Sequence, residues 1–391
     1  MFVAFAALLA IRKPSALLTA QLWAEDGSIF LDQNDHLGLR AFIEPYMGYL
    51  HALPRLIAWA AALLVDPKWW PLFYNATAGA IALAVMARIF SPRLALPAKP
   101  ALALALLLGA RTGEVLFNIT NLQFVAAAAL VQLLLMSRPR SALARASDVV
   151  ILTLVGLTGP FSIIFAPFFA WRWCRDRHRD NLIALLVVAS CAVIQGWFVL
   201  HGPAAGAGLA DIFHPIKFLE ITASRLVAWP LAGEWAVRHV SPKLIASVCG
   251  GLLVAMLWRA ARPQPLRTTR VQAAFALVVL LVAAAYRVRF DTWEQEDFDS
   301  GERYFYLPRV LLLWLVVWEF EATSRAVRWL ARGAFLLCIV TLIPGYVLPA
   351  PPDYHWSEHC DPIRRGEPAK ISTLPEGWTL EYAGRAPRGP D

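Results

Sequence analysis

Two acidic residues stand side by side at Glu25 and Asp26, in the run Trp23-Ala24-Glu25-Asp26-Gly27 that follows the first apolar segment. A carboxylate there can take a proton from an acceptor hydroxyl or amine as a general base. It can equally hold a divalent metal such as Mg or Mn. Charged groups beside a bilayer are costly unless they face water, a cavity or a partner. The same pair also serves as a helix cap or a solvated boundary, because Asp-Gly is a turn signal. Asp26 is read as the leading base, Glu25 as its support, and the two together as the metal ligands if a metal is used.

Other groups can complete such a site. His51 and Arg55 are four residues apart, so a helix places them on one face. Arg55 then meets a phosphate or snorkels to lipid headgroups. Glu114 lies in Arg111-Thr112-Gly113-Glu114, a very short loop between two apolar runs, and either points into the same cavity or forms a loop ion pair. Glu302-Arg303-Tyr304 with Arg309 reads as a phosphate clamp at a helix mouth, or as an interfacial belt of aromatic and Arg anchors. Glu294, Glu296, Asp297 and Asp299 read as a solvated loop, and His355, His359 and Cys360 as isolated tail residues rather than metal ligands. The five cysteines show neither metal-ligand spacing nor a disulfide framework and read as small core residues.

The elements that must position these groups are membrane helices. The chain is 58% hydrophobic and 16% charged, with a mean hydropathy of +0.53. A soluble domain carries roughly 25% charged residues, so the composition is that of a polytopic membrane protein. Several apolar runs fall short of the ~20 residues that a span needs, which predicts broken or half-length helices. The net charge of +8 does not imply nucleic acid, since the arginines sit mostly in short loops where they set topology. No nucleotide-binding Gly-rich loop is present, so an ATP-driven engine is not encoded. Residues 1–11 lack a basic leader and a small-residue cleavage site and read as a trimmed or shallow first helix rather than a signal peptide.

Counting basic loops gives an all-α fold of about 10–11 transmembrane or half-membrane helices over 1–349. Residues 50–65 lie shallow at the non-cytoplasmic face within a first external loop, 23–74. That choice puts Arg93, Lys99, Arg138, Arg140 and Arg145 on the cytoplasmic side. Residues 149–170, broken at Thr158-Gly159-Pro160, form a hairpin of two short helices that enters and leaves at that side. Further external loops are 201–242 and 287–306, and 350–391 is a polar external tail. No internal repeat of fixed period occurs, against transporters built from duplicated halves.

With these parts in order, Ala24-Glu25-Asp26-Gly27, Gly48-Tyr49-Leu50-His51-Ala52-Leu53-Pro54, Leu157-Thr158-Gly159-Pro160 and Gly301-Glu302-Arg303-Tyr304-Phe305-Tyr306-Leu307-Pro308 together resemble the GT-C superfamily of integral-membrane glycosyltransferases. Protein O-mannosyltransferases and lipid A aminoarabinose transferases belong to it. The resemblance implies a polyprenyl-phosphate sugar donor, a glycan or lipid acceptor, and chemistry on the non-cytoplasmic face of a bacterial inner membrane. Asp26 or Glu25 is then the base or metal-holding residue, and Arg55, Arg303 or Arg309 neutralises the leaving phosphate. The chain departs from the pattern in having no large soluble C-terminal domain. The rival readings are a polysaccharide polymerase, a lipid-linked-glycan flippase or transporter, and a non-catalytic membrane subunit.

Overall fold

The computed structural model describes residues 2–202, 214–288, 298 and 301–384. They are mostly helical. Five helices are long and apolar enough to cross a membrane: Pro67–Arg88, Arg179–His201, Pro242–Ala261, Arg267–Ala285 and Arg325–Gly345. Among the described residues four shorter apolar helices, Phe2–Arg12, Ala52–Leu64, Lys99–Leu108 and Leu122–Leu135, accompany them, as in a helical membrane protein.

The Leu122–Leu135 helix is the core. It is apolar all round, and every residue from Leu122 to Leu134 is buried. A helix without a polar face has nowhere to go but the interior. The Arg303–Trp318 helix packs beside it and is buried along nearly its whole length. By contrast, Arg179–His201 carries Val193, Trp197 and Leu200 on its surface, and Pro242–Ala261 carries Val248, Val254 and Trp258. Exposed apolar rows on helices of spanning length face lipid rather than water.

The two ends of the bundle differ. At one end Arg172 donates to the carbonyls of Leu133, Leu134 and Met136 at 2.6–2.8 Å, closing the core helix. Arg93 holds Asp148 there, and Glu319 takes Arg259 and Arg270. The other end gathers the irregular loops, among them residues 109–121 between the Lys99–Leu108 and Leu122–Leu135 helices.

The break at Gly159 sits at that second end. Ala142–Gly156 runs up to it, and Phe161–Arg175 runs away from it. The turn is stitched to the loop before the Ala52–Leu64 helix. Ala52 N–H donates to Leu157 O, and Gly159 N–H to Leu50 O, both at 2.9 Å. The Thr158 hydroxyl accepts from Leu53 N–H at 2.9 Å. Gln195 reaches across to both backbone groups of Leu50. Gly159 has a φ of +76°, and a side chain there would collide with Gln123. Only glycine satisfies both conditions.

One expectation changes: the described fold is not purely helical, because the polar tail carries two short strands. Ala369–Thr373 (β1) and Trp378–Tyr382 (β2) form an antiparallel hairpin in which Lys370 opposes Glu381 and Ile371 opposes Leu380. Side chains alternate across a strand. Ile371, Thr373, Leu380 and Tyr382 therefore turn inward, while Lys370 and Glu381 pair outside at 3.0 Å. The acidic run Glu294, Glu296, Asp297 and Asp299 lies outside the described residues.

Replacing Gly159 by Ala strains a left-handed backbone and displaces Gln123. Gly159→Ala is expected to lower stability by more than about 1 kcal/mol, read as a lower melting temperature in detergent. An unchanged melting temperature contradicts this account of the turn.

Candidate functional site

Residues 109–121 leave helical geometry inside the protein, so their backbone groups need partners that water cannot supply. The partners come from distant parts of the chain. Arg12 donates to Ala110 O at 3.0 Å and Arg111 O at 2.7 Å. Lys13 reaches Gly113 O and Leu116 O, each at 3.3 Å. Asn118 and Asn121 both donate to Glu114 O at 2.8 Å. Arg309 donates to Gly109 O at 2.5 Å.

Asp26 belongs to this network. It begins a single π-helical turn, Asp26–Leu31, and has no exposed surface. Oδ1 accepts the Thr120 N–H at 2.8 Å and the Thr120 hydroxyl at 2.6 Å. Oδ2 accepts the Trp23 N–H at 3.4 Å. Burial pushes its pKa from 3.8 up to about 7, against the pull of the Thr120 bonds. Lys13, stacked 5.1 Å from the Trp23 ring, is pushed down to about 8 by the same burial, with Asp26 opposing.

Glu25 goes elsewhere. It is half-buried, and its Oε1 accepts the Tyr46 hydroxyl at 2.9 Å. Arg303 senses the Glu25 charge and forms an ion pair with Glu114, whose second oxygen accepts the Arg303 N–H at 2.9 Å. The guanidinium lies 5.1 Å from the Tyr304 ring, which stands edge-on to Phe124. Glu25 with Tyr46 and Arg303 with Glu114 and Tyr304 thus form two bonded groups, near enough for the Glu25 charge to act on Arg303, and all but Glu114 keep some exposed surface.

Adjacent in sequence, the two carboxylates diverge in space. Their hydrogen-bond partners, Tyr46 on one side and Thr120 with Trp23 on the other, have no member in common. They do not present a shared set of oxygens to a cation, so this pair does not fit a bound Mg or Mn ion. Among the described residues no three His, Cys, Asp or Glu side chains are grouped to hold a metal.

The remaining expected residues separate in the same way. His51 is buried between Phe30, Tyr46 and Tyr49, with ring centroids 5.0–5.7 Å away. Burial, helped by Arg55, pushes its pKa down to about 3, so the imidazole is neutral. Arg55 is buried too and donates to Gln33 Oε1 at 2.8 Å and Glu44 O at 2.7 Å, over the face of Phe30. Arg309 is fully buried in an ion pair with Glu302 at 2.6 Å. Arg309 was expected at a helix mouth and sits instead inside the polar layer, where Glu302 also takes the Arg111 N–H at 3.0 Å. Glu114 lies beside Arg303, as a carboxylate in so short a loop can. In the tail, Cys360 is buried on Trp356 O, and His355 is exposed beside Asp353.

Sequence reasoning passed over Lys13, Tyr46 and Thr120. A lysine after an apolar run reads as a boundary anchor, and nothing in its neighbourhood points to residues 113–116. Compared with known proteins, the chain matches no family model, no curated protein and no solved structure.

The raised pKa of Asp26 sets a pH dependence. A carboxyl whose folded pKa lies above its unfolded value contributes stability that is present below about pH 4 and lost as pH rises through about 7. His51 has the opposite slope, because a buried neutral imidazole costs stability as pH falls below 6.5. Comparing wild type with Asp26→Asn isolates the first effect, since Asn still accepts from Thr120. The stability of wild type relative to Asp26→Asn is expected to fall by a few kcal/mol between about pH 4 and about pH 8. Melting temperatures in detergent across that range check it, and a constant difference contradicts it.

Proposed function

We propose that the protein is a bacterial inner-membrane glycosyltransferase that moves a sugar from a polyprenyl-phosphate donor to a cell-envelope glycan or lipid acceptor. The observation that carries the reading is the half-exposed Glu25–Tyr46 pair with the half-exposed Arg303–Tyr304 pair near enough for the Glu25 charge to act on Arg303, at the end of the bundle where the irregular loops meet. An acid, a hydroxyl, a guanidinium and an aromatic face are the groups that a sugar phosphate needs from a protein. The opposite end carries the short Arg-rich loops. By the positive-inside rule that end is cytoplasmic, so the cluster opens to the periplasm. The resemblance to GT-C enzymes in Ala24-Glu25-Asp26-Gly27 and Gly301-Glu302-Arg303-Tyr304 supports the same assignment.

In the proposed mechanism the acceptor hydroxyl gives its proton to Glu25 as its oxygen attacks the anomeric carbon. The bond from that carbon to the phosphate oxygen breaks, and the phosphate leaves with the bonding pair. Arg303 stands where charge on the leaving phosphate builds up, which is where a fixed cation gains most rate. Tyr304 offers a face to the sugar or prenyl chain, and Tyr46 holds the Glu25 carboxylate in place. Asp26 is sealed on Thr120 and holds the segment that presents Glu25. The base therefore passes from Asp26, its place in the sequence reading, to its neighbour. A metal is not needed for any of these steps.

Glu25→Gln is expected to cut transfer by at least about 100-fold while leaving the melting temperature unchanged, the usual scale of losing a general base. Asp26→Asn is expected to lose less, because Asn keeps the Thr120 bonds. A radiolabelled polyprenyl-phosphate sugar and membrane-extracted acceptor provide the assay. Full activity in Glu25→Gln, or a larger loss in Asp26→Asn, overturns the assignment of the base.

A further inference from the structure

We infer that the C-terminal hairpin is a positioning element of the site and that Leu374, Leu380 and Tyr382 hold the acidic segment against Thr120. Its bearing on catalysis rests on the reading of Glu25 given above. The contacts themselves do not depend on that reading.

The acidic segment has two sides. One side is fixed by the Asp26–Thr120 bonds. The other is covered by residues that lie more than 340 positions later in the chain. Leu374 pairs with Trp23 as a one-residue parallel bridge. Its N–H donates to Leu22 O at 2.9 Å, and its carbonyl accepts the Ala24 N–H. These two bonds flank Trp23 and stop one residue before Glu25. The Leu22 and Ala24 backbone groups, which precede the π turn, are thereby satisfied outside any helix.

Leu380 closes the next position. A Cβ built on Gly27 would stand 3.4 Å from Leu380 Cβ and 3.4 Å from Leu22 Cδ1. Leu380 is wholly buried there. Both separations are van der Waals distances, so Leu380 packs directly over the Gly27 backbone. Beyond the turn, the Tyr382 hydroxyl bonds to Asp35, and the Ala383 N–H donates to Asp32 Oδ1 at 3.2 Å. The hairpin thus grips both ends of the Asp26–Leu31 turn and leaves Glu25 on its open side, toward Tyr46.

A strap that merely covered surface would not satisfy backbone groups on either side of Trp23. A parallel bridge does, and it fixes register: a shift of one residue would remove both bonds at once. The approach of the strap is itself anchored. Gln21 Nε2 donates to Pro352 O at 2.7 Å, and Gln21 Oε1 accepts the Tyr354 N–H at 2.9 Å. The Arg364 guanidinium pairs with Asp66 at 2.6 Å.

The test is amide hydrogen exchange on the purified full chain in detergent, with residues 22–31 as the reporter and the Leu122–Leu135 helix as the internal reference. Leu380→Ala is expected to speed exchange in 22–31 by at least about tenfold with the reference unchanged. Leu380→Met should restore protection, because it refills the space. Tyr382→Phe removes only the hydroxyl and is expected to speed exchange in 22–35 to a smaller extent, so it decides the matter if Leu380→Ala does not fold. Unchanged exchange in 22–31 in the variants that fold, or a rise that the reference helix shares equally, overturns the inference. Exchange is read without any transfer assay, so this result stands or falls separately from the proposed reaction.

Discussion

The structure depends on how the backbone of residues 109–121 is satisfied. This loop separates two short apolar helices and lies buried, where an unpaired carbonyl costs free energy that water cannot return. Arg12 and Lys13 supply cations from the start of the chain, Arg309 supplies one from a helix two hundred residues on, and Asp26 accepts from Thr120. Each donor is itself costly to bury. Each becomes tolerable because several acceptors converge on it, and removing one partner would strand the other. The arrangement ties the first loop, the core and the Arg303–Trp318 helix into one polar layer.

That layer divides the charged residues between two tasks. Asp26, Arg55, Glu302 and Arg309 are buried and spend their bonds on backbone, on each other, or on Thr120 and Gln33. Glu25 and Arg303 stand at its edge, Arg303 tied to it through Glu114 and Glu25 next in sequence to Asp26, and both are still partly open. A reactive group on a flexible loop would be poorly placed. One attached to a loop fixed on both sides is held within the tolerance that chemistry requires. The proposed roles follow from this split rather than from the order of the acidic residues.

Much of the architecture was legible in the sequence. The core helix 122–135 and the break at Gly159-Pro160 follow from apolar runs and a turn signal, both local features. The spacing of His51 and Arg55 puts them at the start of one helix, where the structure has them. The destinations of side chains were less legible. Asp26 reads as the base with Glu25 in support, but where the π-helical turn begins their carboxylates go to different partners. Arg309 reads as part of a phosphate clamp at a helix mouth or as an interfacial anchor, because its partner Gly109 is two hundred residues away. The tail reads only as a polar external segment, because the pairing of Leu374 with Trp23 joins distant parts of the sequence. Long-range backbone bonds leave no local pattern.

The central claim is that the substrate meets the protein at the end where residues 109–121 lie. Photo-crosslinking with a diazirine-bearing polyprenyl phosphate tests it most directly, with adducts mapped by mass spectrometry. The account predicts adducts in residues 44–51 and 301–309, around Tyr46, Arg303 and Tyr304. Adducts confined to the crevice at the opposite end, lined by Arg93, Asp148 and Arg172, would contradict it.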